Sequence, residues 1–492
     1  MIFGGVGGGF FRTYYIIIKL GVFFLTKAVG FCIIVSSVPR SVVMKIQLCD
    51  HFNYRKLLRF VLPSIAMMVF TSIYGVVDGI FVSNFVGGDS FTAVNFIFPF
   101  IMILGSFGFM FGTGGSALIS KTIGEGDMPK AKRMFSMLVL VSALTGVGIG
   151  VLGIIFVRPL AAALGAEGAV LEDCVVYARI ILAVMPAFML QQEFQSFFVT
   201  AEKPQMGLYT TLAAGIANMV LDALFIAVFD WGIVGAALAT AASQCVGGFV
   251  PIVYFLCPNR SLLRLGKPSF DGRALLKTCV NGSSELLGNV AMSLVGLLYN
   301  WQLMRTEGNN GVSAYGVMMY VGWIFVSIFV GFSIGTAPLI GYNHGAKNHA
   351  ELRNLFKKSL AVTAVLSLAM FILGETLARP LSMIFVSYDS ALLEMAVRGF
   401  RIFSFQFFFC GLAIFGSSFF TALNNGLISA IISFMRTLVF QVGAVLLLPL
   451  VFGLDGIWAS VIVAEFAAAT LAVVFLIAYR KKYGYGRMLK RE

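Results

Sequence analysis

Charge is what this chain has least of. Only 12% of its 492 residues are Asp, Glu, Lys or Arg, against 59% hydrophobic, and the mean hydropathy is +0.93. That scarcity excludes a soluble domain, which needs far more polar surface. Histidine is nearly missing too. His51, His344 and His349 lie in or beside polar segments, where solvation is the expected role. Seven cysteines (Cys32, Cys49, Cys174, Cys245, Cys257, Cys279 and Cys410) show no CxxC and no metal-ligand spacing, which argues against a disulfide framework or a zinc site. Walker A, HExxH and GxSxG sequences are absent, so neither ATP drive nor membrane hydrolysis has support and the chain does not read as an enzyme. Gly4 to Gly9 is only a glycine run, without the Lys and Ser/Thr of a phosphate loop. The period-two alternation of an outer-membrane barrel is missing as well.

Long apolar runs fill the chain instead. They predict an all-α polytopic membrane protein with twelve transmembrane helices, at about 57–86, 92–120, 133–157, 174–199, 205–229, 232–256, 274–303, 312–342, 354–378, 391–422, 427–450 and 455–479. These are spans 1 to 12. The net charge of +13 is not a nucleic-acid signature, because the cations crowd into alternate loops. Lys121, Lys130, Arg133, Lys203, Arg260, Lys267, Lys347 and Arg353 follow even-numbered spans, and Arg480 to Arg491 form a basic tail. By the positive-inside rule both ends of the twelve-helix body face the cytoplasm, in a multi-pass cell membrane protein.

The chain also repeats itself. Gly114 returns 221 positions later as Gly335, Gly124 as Gly345, Arg158-Pro159-Leu160 as Arg379-Pro380-Leu381, and Gly232 as Gly453. A constant offset across many loops means two copies of one unit. Six helices per copy is an even number, so the copies cross in the same sense and a two-fold axis along the membrane normal relates them. The expected organisation is a lead-in of 1–54, lobes of 55–256 and 274–480, a basic linker of 257–273 between them, and a cytoplasmic tail of 481–492. Residues 1–43 fit no lobe and receive no role; Lys45 to Arg59 reads as an ordinary polar lead-in.

Ionisable residues within the spans cost about 2.5–3.5 kcal/mol each near a helix centre, so each calls for a partner or a task. Asp78 in span 1 and Asp222 in span 5 fall at matching depth, in the outer half of their helices. Tyr74 shares a face with Asp78, and Asn218 with Asp222. Two carboxylates that meet out of water cannot both stay charged without cost, so such a pair takes up a proton or binds Na⁺. The alternative is that each acid only hydrogen-bonds a neighbouring helix. Under the offset the two acids fall on Tyr299 and Gly443, so the pair belongs to one lobe only. In the second lobe Glu285 and Arg436 either pair with each other or line a polar path. Glu193 and Gln195 are further intramembrane polar groups. Glu465 and Arg179 read as satisfied packing or interfacial groups. Pro63 leaves a carbonyl unpaired and is a bend point in span 1.

Together these features resemble the multidrug and toxic compound extrusion (MATE) family. The residues that carry the likeness are Leu62-Pro63, Val77-Asp78-Gly79-Ile80-Phe81-Val82-Ser83, and Gly114-Gly115-Ser116-Ala117-Leu118. More specific is Asn218-Met219-Val220-Leu221-Asp222-Ala223-Leu224-Phe225-Ile226, followed by Gly232-Ile233-Val234-Gly235; Gly341-Tyr342-Asn343-His344-Gly345-Ala346 adds the second lobe. The resemblance covers about residues 55 to 480. It implies two six-helix bundles in a V and export of amphipathic or cationic compounds in exchange for H⁺ or Na⁺, with no cofactor. It implies a coupling site at Asp78, Asn218 and Asp222, a polar shell of Tyr74, Gln195 and Thr240, and a hinge at Pro63. If Na⁺ is the ion, Asp78 and Asp222 are its ligands. Glu285 falls where some members keep a second-lobe acid. No nucleic acid is expected, and a monomer is. The rival reading is a lipid-linked saccharide flippase of the same wider superfamily, which needs several cavity cations to hold a pyrophosphate; only Arg436 is a candidate.

Overall fold

The computed structural model describes residues 46–86, 88–258, 261–387 and 389–486. The expectations for residues 1–43 and for the last six residues of the basic tail lie outside them. Each predicted span is helical, some in one piece and some in two or three. Spans 1, 2 and 3 are Tyr54–Phe85, Gly88–Gly124 and Met128–Ala163. Span 4 is two helices, Gly168–Ala183 and Met185–Thr200, bent by 60°. Span 5 runs Pro204–Asp222 and on through a π-helical turn, Ala223–Val228; span 6 is Gly232–Leu256. Spans 7, 8 and 9 are Gly272–Thr306, Gly308–Gly345 and His349–Val386. Span 10 is bent by 49° between Ser390–Ser404 and Phe407–Ala422. Span 11 is Gly426–Phe434, a π-helical turn Met435–Phe440 and Gln441–Leu447, and span 12 is Pro449–Tyr483.

Short polar residues start several of these helices. Asn53, Asp127, Asp271, Asn348 and Asp389 each accept backbone N–H groups of the first turn, which would otherwise lack partners. Spans 4 and 10, expected as single continuous helices, are broken. Pro186 opens the second half of span 4, and its missing N–H cannot continue the helix before it. Among the described residues nine helices are each long and apolar enough to cross a membrane, and the bent pairs raise that to as many as eleven. Span 7 is not among them, because Lys277, Asn281, Ser284, Glu285 and Asn289 crowd its length.

The repeat is visible in the packing. Span 1 lies on span 5 as span 7 lies on span 11, and the second half of span 4 lies on span 2 as that of span 10 lies on span 8. The lobes meet through spans 1 and 8, 2 and 7, and 2 and 8. Two glycine crossings fix this interface. A Cβ on Gly124 would overlap the Tyr342 carbonyl, and one on Gly345 would overlap the Lys121 carbonyl. Lys121 and Tyr342 are themselves one offset apart, so the contacts exchange under the two-fold. Gly114 against Gly282 and Gly335 against Val61 form a second exchanged pair. All four repeat glycines lie in the half of the molecule that carries the basic loops, so the lobes are closely apposed there.

This crossing gives a first test. Gly345→Ala must push backbone against backbone and is expected to destabilise by about 1–3 kcal/mol. Gly316→Ala in the same span has open space around the new methyl and is expected to be neutral or slightly stabilising. Thermal unfolding in detergent reads both.

Candidate functional site

Span 5 comes unusually close to span 1, because Gly215 presents no side chain to the rings of Phe70 and Tyr74. A Cβ there would lie 2.5 Å from Phe70 Cε1 and 2.9 Å from Tyr74 Cδ1. One turn above Tyr74 stands Asp78, and two turns above Gly215 stands Asp222. The close contact below therefore sets the two acids side by side above. Asp222, Asn218 and Thr240 all lie within reach of the Asp78 carboxyl. Thr240 Oγ1, from span 6, donates to Asp78 Oδ1 at 3.5 Å. Asp222 and Asn218 are sealed, at 0% and 1% exposure, whereas Asp78 is half-buried. The pair thus has one enclosed member and one that the surroundings reach.

Hydrogen bonding at the site is incomplete. Among the described residues no partner in bonding geometry reaches either oxygen of Asp222 or the Asn218 Nδ2. Buried carboxylate oxygens without donors are costly, and a proton shared between the two acids, or one small cation held between them, removes the cost. The donor set is carboxylate, amide and hydroxyl oxygen, which suits H⁺ or a hard cation such as Na⁺. Among the described residues there is no grouping of three or more His, Cys, Asp or Glu side chains that could hold a metal ion.

Around the acids the polar shell differs in detail from the expected one. Tyr74 OH accepts from Gln191 Nε2 at 3.5 Å. Gln195, one turn further along the helix, instead donates to Gln192 Oε1 at 3.1 Å. Tyr177, which sequence reasoning did not single out, is 3% exposed, lies within hydrogen-bonding reach of Thr240 and feels the charge of both acids. It stands on the outer half of span 4, turned by the break at Val184, and no spacing rule connects it to Asp78. The π-helical turn begins directly after Asp222, where the widened helix re-aims the side chains that follow. Glu193 is fully buried beside Ser142 of span 3. Pro63 lies inside span 1 and, with Arg59, Phe60, Lys203 and Tyr254, lines a cavity of about 360 Å³ at the basic-loop end.

In the second lobe the pairing is not the one considered from sequence. Arg436 binds Glu465, with Nε 2.9 Å from both carboxylate oxygens and a terminal nitrogen at 2.8 Å. Glu285 is near enough to feel the guanidinium but makes no hydrogen bond to it. Arg436 stands one offset from Gly215 and within the π-helical turn of span 11. The second lobe therefore carries a cation where the first has its tight approach. Tyr299, the counterpart of Asp78, shares a 2.6 Å hydrogen bond with Ser460 and stacks on Tyr315.

Comparison with known proteins gives the family and the fold. The MatE family model matches residues 63–224 and again residues 286–446, once in each lobe. A multidrug export protein, MepA of Staphylococcus saprophyticus, is 25% identical over 432 residues, covering 87% of this chain and 94% of its own length. The fold is that of solved MATE structures. One in complex with MaL6 superposes with a TM-score of 0.85 at 22% identity, covering 90% of this chain and 99% of that one. An outward-facing multidrug resistance MATE transporter of the MOP superfamily gives 0.84 at 22% identity, with the same coverage.

Proposed function

Because the chain belongs to the MatE family, we propose that it is a secondary active transporter exporting amphipathic or cationic small molecules in exchange for H⁺ or Na⁺. The observation that carries this reading is the Asp78–Asp222 pair, one acid sealed and one reachable, present in a single lobe. Two-fold packing alone does not require it. The cation enters at Asp78 and completes the bonding of Asp222, with Asn218, Thr240 and Tyr177 around it. Loading favours one shape of span 1, in which Pro63 has already freed the carbonyl one turn before it. The cation drives transport only to the extent that it binds the two shapes differently, and substrate and cation then displace each other by linkage.

The orientation follows from the basic loops, which face the cytoplasm of a cell membrane. Close apposition of the lobes on that side supports an outward-open state. Relatives named as multidrug exporters, together with the 49 Phe and 22 Met of this chain, support a cavity that adapts to varied apolar cations. The flippase reading loses ground, since its only candidate cation, Arg436, is already neutralised by Glu465.

The test is dye export from proteoliposomes with pH and Na⁺ gradients imposed separately. One gradient is expected to drive export and the other to leave it at the passive rate. Dye movement indifferent to both gradients refutes the exchange reading.

A further inference from the structure

The lead-in to span 1 is not a solvated tail. Leu48 and Phe52 are 1% and 0% exposed and belong to one apolar cluster with Leu352, Leu355, Phe419 and Tyr485 of the opposite lobe. Backbone and side-chain bonds hold the segment in place from both lobes. Leu48 N donates to Glu202 Oε1, on the loop after span 4, at 2.9 Å. Across the interface, Phe52 N donates to Glu351 Oε1 at 2.9 Å, and His51 Nδ1 lies 2.5 Å from Glu351 Oε2. The Phe52 carbonyl accepts from Asn354 Nδ2 at 2.8 Å and from Lys358 Nζ at 2.5 Å. Residues 46–53 of the first lobe are thereby tied to the first turns of span 9 in the second.

The two-fold explains what this tie is. Its counterpart is the lead-in to span 7, whose Gly266 N donates to Ser136 Oγ of span 3 at 2.9 Å. That second lead-in is the covalent linker between the lobes. One side of the interface is therefore joined by the chain itself, while among the described residues the other is joined only by hydrogen bonds and apolar contact. Only the second kind can let go.

We infer that residues 46–53 are a releasable latch that holds the lobes together at the basic-loop end and must detach before that end can open. The inference rests on the alternating-access reading above, but its alkylation test uses neither gradient nor substrate, so the two can fail separately. In a cysteine-free background in nanodiscs, Ser120→Cys places a thiol at the crossing of spans 2 and 8, where Ser120 is 0% exposed. Glu351→Ala removes the acceptor of two latch contacts, and the alkylation rate of that thiol is expected to rise on the order of tenfold, as loss of hydrogen bonds to a charged group implies. Lys358→Ala, which leaves Glu351 in place, is expected to raise it less. Glu172→Ala, at an exposed pair with Arg158, is expected to leave it unchanged. An unchanged rate in both latch variants, or an equal rise in Glu172→Ala, overturns the inference. So does full dye export by a His51→Cys/Asn354→Cys variant whose two thiols are joined by a short reducible cross-linker; arrest that is reversed by reductant is the expected result.

Discussion

Asp78→Asn is expected to lower gradient-driven export on the order of a hundredfold while substrate still binds, since the proposed coupling at this site is worth a few kcal/mol. The amide keeps the shape and the Thr240 contact but carries no charge and releases no proton. Asp222 then remains buried beside a neutral neighbour, and the proposed cation site loses one of its two carboxylates. Asp222→Asn should behave alike for the same reason. Dye-binding affinity measured beside transport separates this outcome from simple misfolding, because a misfolded protein loses both.

Glu465→Gln is the second large effect, and it acts on stability. Arg436 and Glu465 are 20% and 6% exposed at their side chains, so removing one charge strands the other away from water. Breaking a buried pair in this way costs about 3–5 kcal/mol. Replacing both partners, as Arg436→Met with Glu465→Leu, is expected to recover part of that loss, because neither partner is stranded and only Glu285 loses a neighbouring cation. Thermal unfolding of the single and double variants measures the difference. If the single variant proves as stable as the parent, the pair is not the second lobe's electrostatic anchor.

Much of the fold was legible because it is written twice. The 221-residue offset named the glycines that the structure places at the lobe crossing, and Gly232 and Gly453 both adopt positive φ, at 55° and 56°, the first where span 6 begins and the second at a kink near the start of span 12. The repeated Arg-Pro-Leu triplet also has a counterpart in space, since Arg158 pairs with Glu172 and Arg379 with Glu394 at equivalent corners. Matching depth marks Asp78 and Asp222 as neighbours, and the structure places them within reach. What depth cannot give is rotation about a helix axis. Gln191 rather than Gln195 bonds Tyr74, and Tyr177 joins the site through a break in span 4 that a hydropathy run does not reveal. Glu465 took Arg436 from Glu285 because a π-helical turn re-aims the guanidinium. The latch was hidden for another reason: Leu48 and Phe52 are isolated apolar residues among polar ones, and it takes the opposite lobe, some three hundred positions away in the chain, to complete their burial. His51 stays exposed, as its polar surroundings implied, and still reaches Glu351.

The most direct measurement is the release of cations when substrate binds. Calorimetric titration of the purified protein with a dye substrate, in two buffers of different protonation enthalpy and with and without Na⁺, counts the ions displaced. The account expects about one H⁺ or Na⁺ released by the parent protein and none by Asp78→Asn or Asp222→Asn, as reciprocal linkage requires. Equal release from parent and variants, or none from the parent at any pH, would contradict it.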